Sequence, residues 1–210
     1  MAEPASKGKI IEAAWTLLTE VGFGQFSMRK LAKEVGITAS TLYWHFSSKE
    51  AIFTVMADDV CGEALNAFMA ASTWQEQLVS DGLVFADTLR KRPYSADLLF
   101  TIPPITEHFL KVNERFLKTI DDLSLADSEK FIIVNIYLDY ILTFERDRQV
   151  RQHVFDSKEF QDVQPNGDLI TQTPVLKRMY GQGIFDRMDR DSTLKWSLET
   201  LVKGFEQRQK

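Results

Sequence analysis

The stretch Leu31-Ala32-Lys33-Glu34-Val35-Gly36-Ile37-Thr38-Ala39-Ser40-Thr41-Leu42 decides the fold of the N-terminal part of this chain. Ala32 is small enough to let two helices cross closely. Gly36, four residues on, tolerates the positive φ that a sharp turn between them requires. Val35, Ile37, Leu42 and Phe46 then lock the second helix down. Either small residue alone is uninformative. Together, preceded by Ser27 as the N-cap of an Arg29-Lys30 helix and followed by Tyr43-Trp44-His45-Phe46, they predict a helix-turn-helix. Its reading helix spans residues 39–46, capped by Thr38 or Ser40.

Working outward, the hydrophobic period is helical almost everywhere. Ile10, Ala14, Leu17, Leu18 and Val21 form the stripe of an opening helix that Gly22 can end. At Ser47-Ser48-Lys49-Glu50, serine precedes acid, a start signal for a long helix through Phe53, Met56, Val60, Ala64 and Leu65 to about residue 70. Further helices are predicted over 74–91, 95–101, 106–122, 126–148, 173–180 and 192–207, with Pro93 and Pro103-Pro104 as stops. Residues 149–172 are polar, contain Pro165-Asn166-Gly167, and are expected to form a loop. No β-alternation and no internal repeat is visible. The expectation is an all-α fold of about nine to ten helices. A three-helix helix-turn-helix domain over residues 1–50 joins a larger helical body over 51–210.

The chain of 210 residues carries a formal charge of −5, which by itself argues against a nucleic-acid partner. The distribution answers this. Residues 1–50 hold six Lys/Arg against five Asp/Glu, while the remainder holds 19 against 25. Arg29, Lys30, Lys33 and Lys49 cluster, so a local patch can meet phosphates while an acidic body discourages non-specific collapse onto DNA. The single cysteine, Cys61, excludes an internal disulfide and a cysteine-rich zinc site. Met1–Ser6 leads into Lys7 and Lys9 without an apolar run, so no signal peptide is read there. The apolar stretch 131–144 is broken by Asn135 and Asp139 and falls short of the roughly 18 residues of a membrane helix. A cytoplasmic protein is expected. An enzyme is disfavoured by three histidines (His45, His108, His153) without a Glu-x-x-His pair. Cys61, on an apolar helix, is either inert packing or a redox sensor.

Phe26-Ser27-Met28-Arg29-Lys30-Leu31-Ala32-Lys33-Glu34-Val35-Gly36-Ile37, then Ser40-Thr41-Leu42-Tyr43-Trp44-His45-Phe46 and Lys49-Glu50, resemble the DNA-binding head of the TetR family of transcriptional repressors. Trp74-Gln75, Thr173-Pro174-Val175-Leu176 and Leu201-Val202-Lys203-Gly204-Phe205-Glu206 extend the resemblance to the tetracycline-repressor-like branch. In the head it implies a phosphate-binding Lys49 and a Tyr43 on the sugar-phosphate edge. Arg29 is the candidate for bidentate reading of guanine, and Ala39 and Ser40 face base edges. Thr41, Trp44 and His45 touch bases or backbone, and Trp44 could equally be core. Ser27 and Met28 complete the expected DNA contacts.

For the body, the resemblance implies a homodimer and a small-molecule pocket. The segment 131–144, apolar nearly all round, is either a helix that packs inside a subunit and against a partner or the central helix of a larger single core; in the first case the stripe of the last helix is the other half of a four-helix interface. Candidate effector contacts are Leu65, Phe85, Leu99, Phe109, Phe116, Tyr137, Asp139 and Phe144. Asn135, Asp139 and Thr143 recur every four residues as either a pocket wall or a solvent edge. Leu65 and Leu99 stand where the tetracycline repressor has the histidines that hold drug and magnesium, Phe85 matches its aromatic wall, and Glu145 falls near an acid that holds metal-bound waters. The expected protein is therefore a ligand-responsive repressor released from near-palindromic DNA by an apolar or aromatic effector. No metal, cofactor or membrane is called for.

Overall fold

The structure, a computed structural model, describes residues 6–156, 172–184 and 187–208. Among them are ten α-helices and no strand: α1 Lys7–Gln25, α2 Met28–Val35, α3 Ala39–His45, α4 Lys49–Ala67, α5 Trp74–Arg90, α6 Ser95–Thr101, α7 Glu107–Thr119, α8 Asp127–Asp156, α9 Pro174–Gly181 and α10 Asp191–Gln207. The expected all-α class holds.

Serine and threonine set the helix starts. Ser27, Thr38, Ser48 and Thr73 each accept a hydrogen bond from the backbone N–H three residues on, satisfying one of the orphan donors of the first turn. Thr38, not Ser40, caps α3. α2 ends where Gly36 adopts φ 77°, and the Ile37 N–H then reaches back to the Ala32 carbonyl at 2.9 Å. No heavy atom lies within 4 Å of a Cβ built on Gly36, so the glycine serves its dihedral and not a close contact. Gly22, at φ 66°, breaks the regular part of α1 as expected, but one more turn to Gln25 follows it.

One element departs further from the sequence expectation. α8 continues to Asp156, so residues 149–156 are helical and not loop; residues 157–171 lie outside the described set. Tertiary contacts hold this polar extension: Arg148 Nη1 meets Asp191 Oδ1 at 2.8 Å, and the Gln149 side chain accepts the Tyr94 N–H at 2.9 Å.

α1, α2 and α3 form the head around Ile10, Ala14, Leu18, Leu31 and Leu42. α4 belongs to both parts. Its Phe53 packs against Phe23 and Phe26 of the head, at centroid distances of 5.4 and 4.9 Å, while its other turns lie against α5, α6 and α7. The corner between α5 and α6 makes a second attachment. Arg92 pairs with Glu12 of α1 at 3.2 Å and Glu63 of α4 at 3.1 Å, with its guanidinium over the Trp15 ring. Tyr94, held at φ 68°, sets its ring edge-on to Phe23. In the body, Gly82 of α5 lets α10 and α8 close in: a Cβ there would stand 2.9 Å from Leu198 Cδ1 and 3.0 Å from the Tyr137 hydroxyl.

The start of α7 is capped from another helix. Its own Thr106 makes no side-chain cap bond. Asp58 of α4 supplies the acceptor, taking the His108 N–H at 2.8 Å on Oδ1 and facing the His108 Nδ1 at 2.8 Å with Oδ2. Burial pushes the Asp58 carboxyl up, but the Thr106 hydroxyl beside it and the hydrogen bonds from the backbone and ring of His108 outweigh it and hold it below the ordinary range. A carboxyl depressed in the folded state stabilises above its unfolded value of about 3.9, and this contribution is lost as pH falls through the lower folded value. Asp58→Ala is expected to cost about 0.5–2 kcal/mol at pH 7, the usual range for a lost cap. In urea titrations the gap from the parent protein should narrow progressively as pH falls below the unfolded value of about 3.9; a gap unchanged by acid would contradict this role for the carboxylate.

Candidate DNA-reading head and effector cleft

On α3, Leu42 and Phe46 point inward, while Tyr43 and Trp44 stand outward, Trp44 with 82% of its surface exposed. The core alternative for Trp44 is thereby removed. Its indole meets the His45 ring edge-on at 5.0 Å, fixing both rings on the outer face. Ser40 and Thr41 hydroxyls each lie 2.8 Å from Thr38 Oγ1, so the start of the reading helix is tied into one hydroxyl cluster. Ala39 is half-buried beside it and Arg29 is exposed on α2. The Lys49 ammonium sits 5.7 Å above the Phe53 ring, in the first turn of α4. Ser27 faces partly outward but its hydroxyl is occupied in capping α2. Met28 corrects the expectation: at 8% exposed it is in the core of the head, because the first residue of α2 turns toward α1, and it has almost no surface for DNA.

In the body, α6, α7 and α8 enclose an open cleft of about 700 Å³, within the range of small-molecule sites. Its walls are largely apolar and include Leu99, Phe109, Phe131 and Leu138, with Asn135 and Asp139 among the polar groups. The structure thus brings together Leu99, Phe109 and Asp139 of the expected contacts. The polar line on α8 divides: Asn135 and Asp139 line the cleft, and Thr143 does not. Five expected contacts lie elsewhere. Phe85, Phe116 and Tyr137 are fully buried in the body core, where the Tyr137 hydroxyl donates to the Leu78 carbonyl at 3.0 Å. Leu65 and Phe144 are half-buried and outside the cleft lining. Large aromatic side chains are drawn to the centre of a helical body by their area, and sequence does not separate a core ring from a wall ring. Phe100, Phe131 and Asn113 were missed; the proximity of Phe100 to Pro103-Pro104 was the available signal.

Two acids are completely buried away from the cleft. Glu145 of α8 receives three hydrogen bonds from Arg90 of α5, at 2.8–2.9 Å, and Asp81 of α5 pairs with Arg115 of α7 at 2.8 Å. Cys61 is fully buried too, and burial together with the nearby Asp58 charge pushes its thiol up to about 12, the opposite of an activated sensor.

The family profile for "Bacterial regulatory proteins, tetR family" matches residues 10–56, over the head just described. The profile "Tetracyclin repressor-like, C-terminal domain" matches residues 69–209, well over half of the chain. The chain belongs to the TetR family. Its sequence is 25% identical over 205 residues to the class D tetracycline repressor protein of Escherichia coli, covering 96% of this chain and 89% of that one. An HTH-type transcriptional regulator of Saccharopolyspora erythraea is 33% identical over 98 residues, 47% of this chain and 42% of its own length. The fold is similar to that of TetR from Acinetobacter baumannii AYE, with a TM-score of 0.72 at 22% identity over 98% of both chains. It also resembles BioQ bound to its double-stranded DNA operator, with a TM-score of 0.61 at 24% identity over 70% of this chain and 89% of that one. This TetR-family chain is a DNA-binding transcriptional regulator, and no described helix is long and apolar enough to cross a membrane.

Proposed function

We propose that this protein is a cytoplasmic, homodimeric repressor that leaves its operator when a small apolar or aromatic effector enters the cleft between α6, α7 and α8. The observation that carries this reading is α4. One continuous helix has its first turns in the core of the head and its later turns against α6 and α7, which line the cleft. Residues 1–50 act as the reading head and residues 51–210 as the effector and dimer body, the boundary falling in the first turn of α4. The relative bound to operator DNA supports the first half of the reading, and a TetR variant of Acinetobacter baumannii AYE in complex with minocycline supports the second.

The dimer is supported by α8 and α10, which pack together yet keep Ile132, Ile136 and Trp196 exposed at 55%, 48% and 66%. Two heads would then occupy successive major grooves about 34–36 Å apart on a near-palindromic site. Arg29, Ala39, Ser40, Thr41, Tyr43, Trp44, His45 and Lys49 supply the contacts. Effector binding tilts α4 and spoils the spacing. To swing the balance from 1:99 to 99:1 the effector must prefer the tilted form by about 5.5 kcal/mol.

Lys49→Ala tests the DNA half. As a point charge on phosphate, its loss should weaken binding to specific and unrelated duplexes alike and reduce the salt slope by about one per head. Gel shifts with unchanged affinity and salt dependence would contradict the phosphate role.

Magnesium-tetracycline does not fit this body. Leu65 and Leu99 carry no donor or ligand atom, and the Glu145 carboxylate is taken up by Arg90. Calorimetry with tetracycline and Mg²⁺ is expected to show no saturable heat; micromolar binding would overturn this.

A further inference from the structure

We propose that the effector cleft selects lipophilic organic cations, aromatic amines or ammonium compounds that bear N–H donors, over neutral and anionic molecules of the same size. This inference rests on the reading of the cleft as the effector site and adds the charge of what enters it.

The side-chain oxygens of the cleft, from Asn113, Glu114, Asn135 and Asp139, outnumber its one ammonium, Lys111. Asn113 donates one of its two amide N–H groups to the Phe109 carbonyl at 2.9 Å, and Asn135 donates one of its own to the Phe131 carbonyl at 2.7 Å. An amide held in this way keeps its oxygen, along with its second N–H, for a ligand. The charged groups on α7 cancel along their own helix: Lys111 meets Glu107 at 2.6 Å, and Glu114 meets Lys118 at 3.1 Å. Among the described residues no ion pair or hydrogen bond engages Asp139, which therefore sets the sign of the wall. Arg146, one further cation near the rim, is already paired with Asp97 at 2.9 Å.

The apolar part of the wall agrees with the polar part. Phe100, Phe109 and Phe131 line the cleft, and the faces of such rings attract cations. Phe100 already takes the Arg146 guanidinium at 5.8 Å from its centroid, so the wall uses this attraction within the protein itself. An anion would meet the unpaired Asp139 carboxylate and the ring faces, both repulsive. A neutral molecule would leave the Asp139 charge without a partner while covering it. A cation with an apolar body satisfies the amide oxygens through its N–H groups, the carboxylate through its charge and the leucines through its frame.

Rhodamine 6G and fluorescein share a xanthene frame and carry opposite charge at pH 7.5, so they separate charge from shape. Fluorescence anisotropy on the full-length protein is expected to show rhodamine 6G binding at least tenfold tighter than fluorescein and releasing operator DNA. Asp139→Asn should reduce that preference at least fivefold, and Asp139→Lys should shift it toward fluorescein, with thermal melts reporting folding of each variant. Asn135→Trp, which fills the cleft, should weaken both dyes. If both dyes bind equally and both respond to Asn135→Trp, the cation inference falls and the effector site stands. A preference that survives both Asp139 variants overturns the cation inference in the same way. If neither dye binds, or Asn135→Trp leaves binding intact, both readings fall.

Discussion

Arg90→Ala is expected to destabilise the body by about 3–5 kcal/mol, among the largest effects of any single substitution in this chain. The reason is Glu145, which has no exposed surface and whose two oxygens depend on Arg90 Nε and Nη2. Deleting the guanidinium leaves a carboxylate in the body core without water or counterion, and the cost is that of an isolated buried charge rather than of a salt bridge. Burial works to lower the Arg90 pKa, but the hydrogen bonds and charge of Glu145 overcome it, so the guanidinium is held above its ordinary value. Urea unfolding monitored by circular dichroism gives the loss. Arg90→Ala combined with Glu145→Leu separates the causes: removing the stranded acid should recover most of the stability. If the double variant is as unstable as the single, the cost comes from lost packing of the arginine stem.

Arg29→Ala and Trp44→Ala are expected to weaken operator recognition sharply while leaving the fold intact. Trp44 is 82% exposed and Arg29 lies on the outer face of α2, so surface substitution there costs the fold only within about 0.5 kcal/mol. A base-reading contact, in contrast, is worth about 1–3 kcal/mol, and each operator engages two heads in the proposed dimer. The loss for either variant is then about 2–6 kcal/mol, from roughly 30-fold to more than 10⁴-fold in affinity. Unlike Lys49→Ala, these variants should keep their weak binding to unrelated DNA, because they remove reading rather than attraction. Competition gel shifts distinguish the two. Equal losses on specific and unrelated duplexes would remove Arg29 and Trp44 from the reading set.

The head was far more legible in sequence than the body, for a physical reason. Helix caps and turns are local: Ser27, Thr38, Ser48 and Gly36 act on residues within four positions, so their roles are written in their neighbourhood. Met28 was misplaced because which way the first residue of α2 faces depends on where α1 crosses it, and spacing along the chain does not contain that crossing. In the body the deciding partners are remote. Glu145 and Arg90 are 55 positions apart, and Asp58 caps a helix that begins 49 positions later, so neither role leaves a local trace. The extension of α8 past residue 148 was hidden in the same way, since Asp191 and Tyr94 hold a stretch whose own composition reads as loop. The four-residue period of Asn135 and Asp139 was visible; that these two residues, and not Thr143, line the cleft depends on where α7 lies.

The corner at Arg92–Tyr94 has a mechanical consequence. A rigid piece fastened at one place swivels in every direction, whereas one fastened at two separated places turns only about the line through them. The head is fastened by α4 and again where Arg92 grips Glu12 and Trp15 and Tyr94 meets Phe23. In the proposed mechanism this second fastening narrows the ways the head can turn, and the effector acts by shifting that motion. A compound that fills the cleft without turning it is a silent occupant: tightly bound, in competition with the true effector, and without effect on the operator.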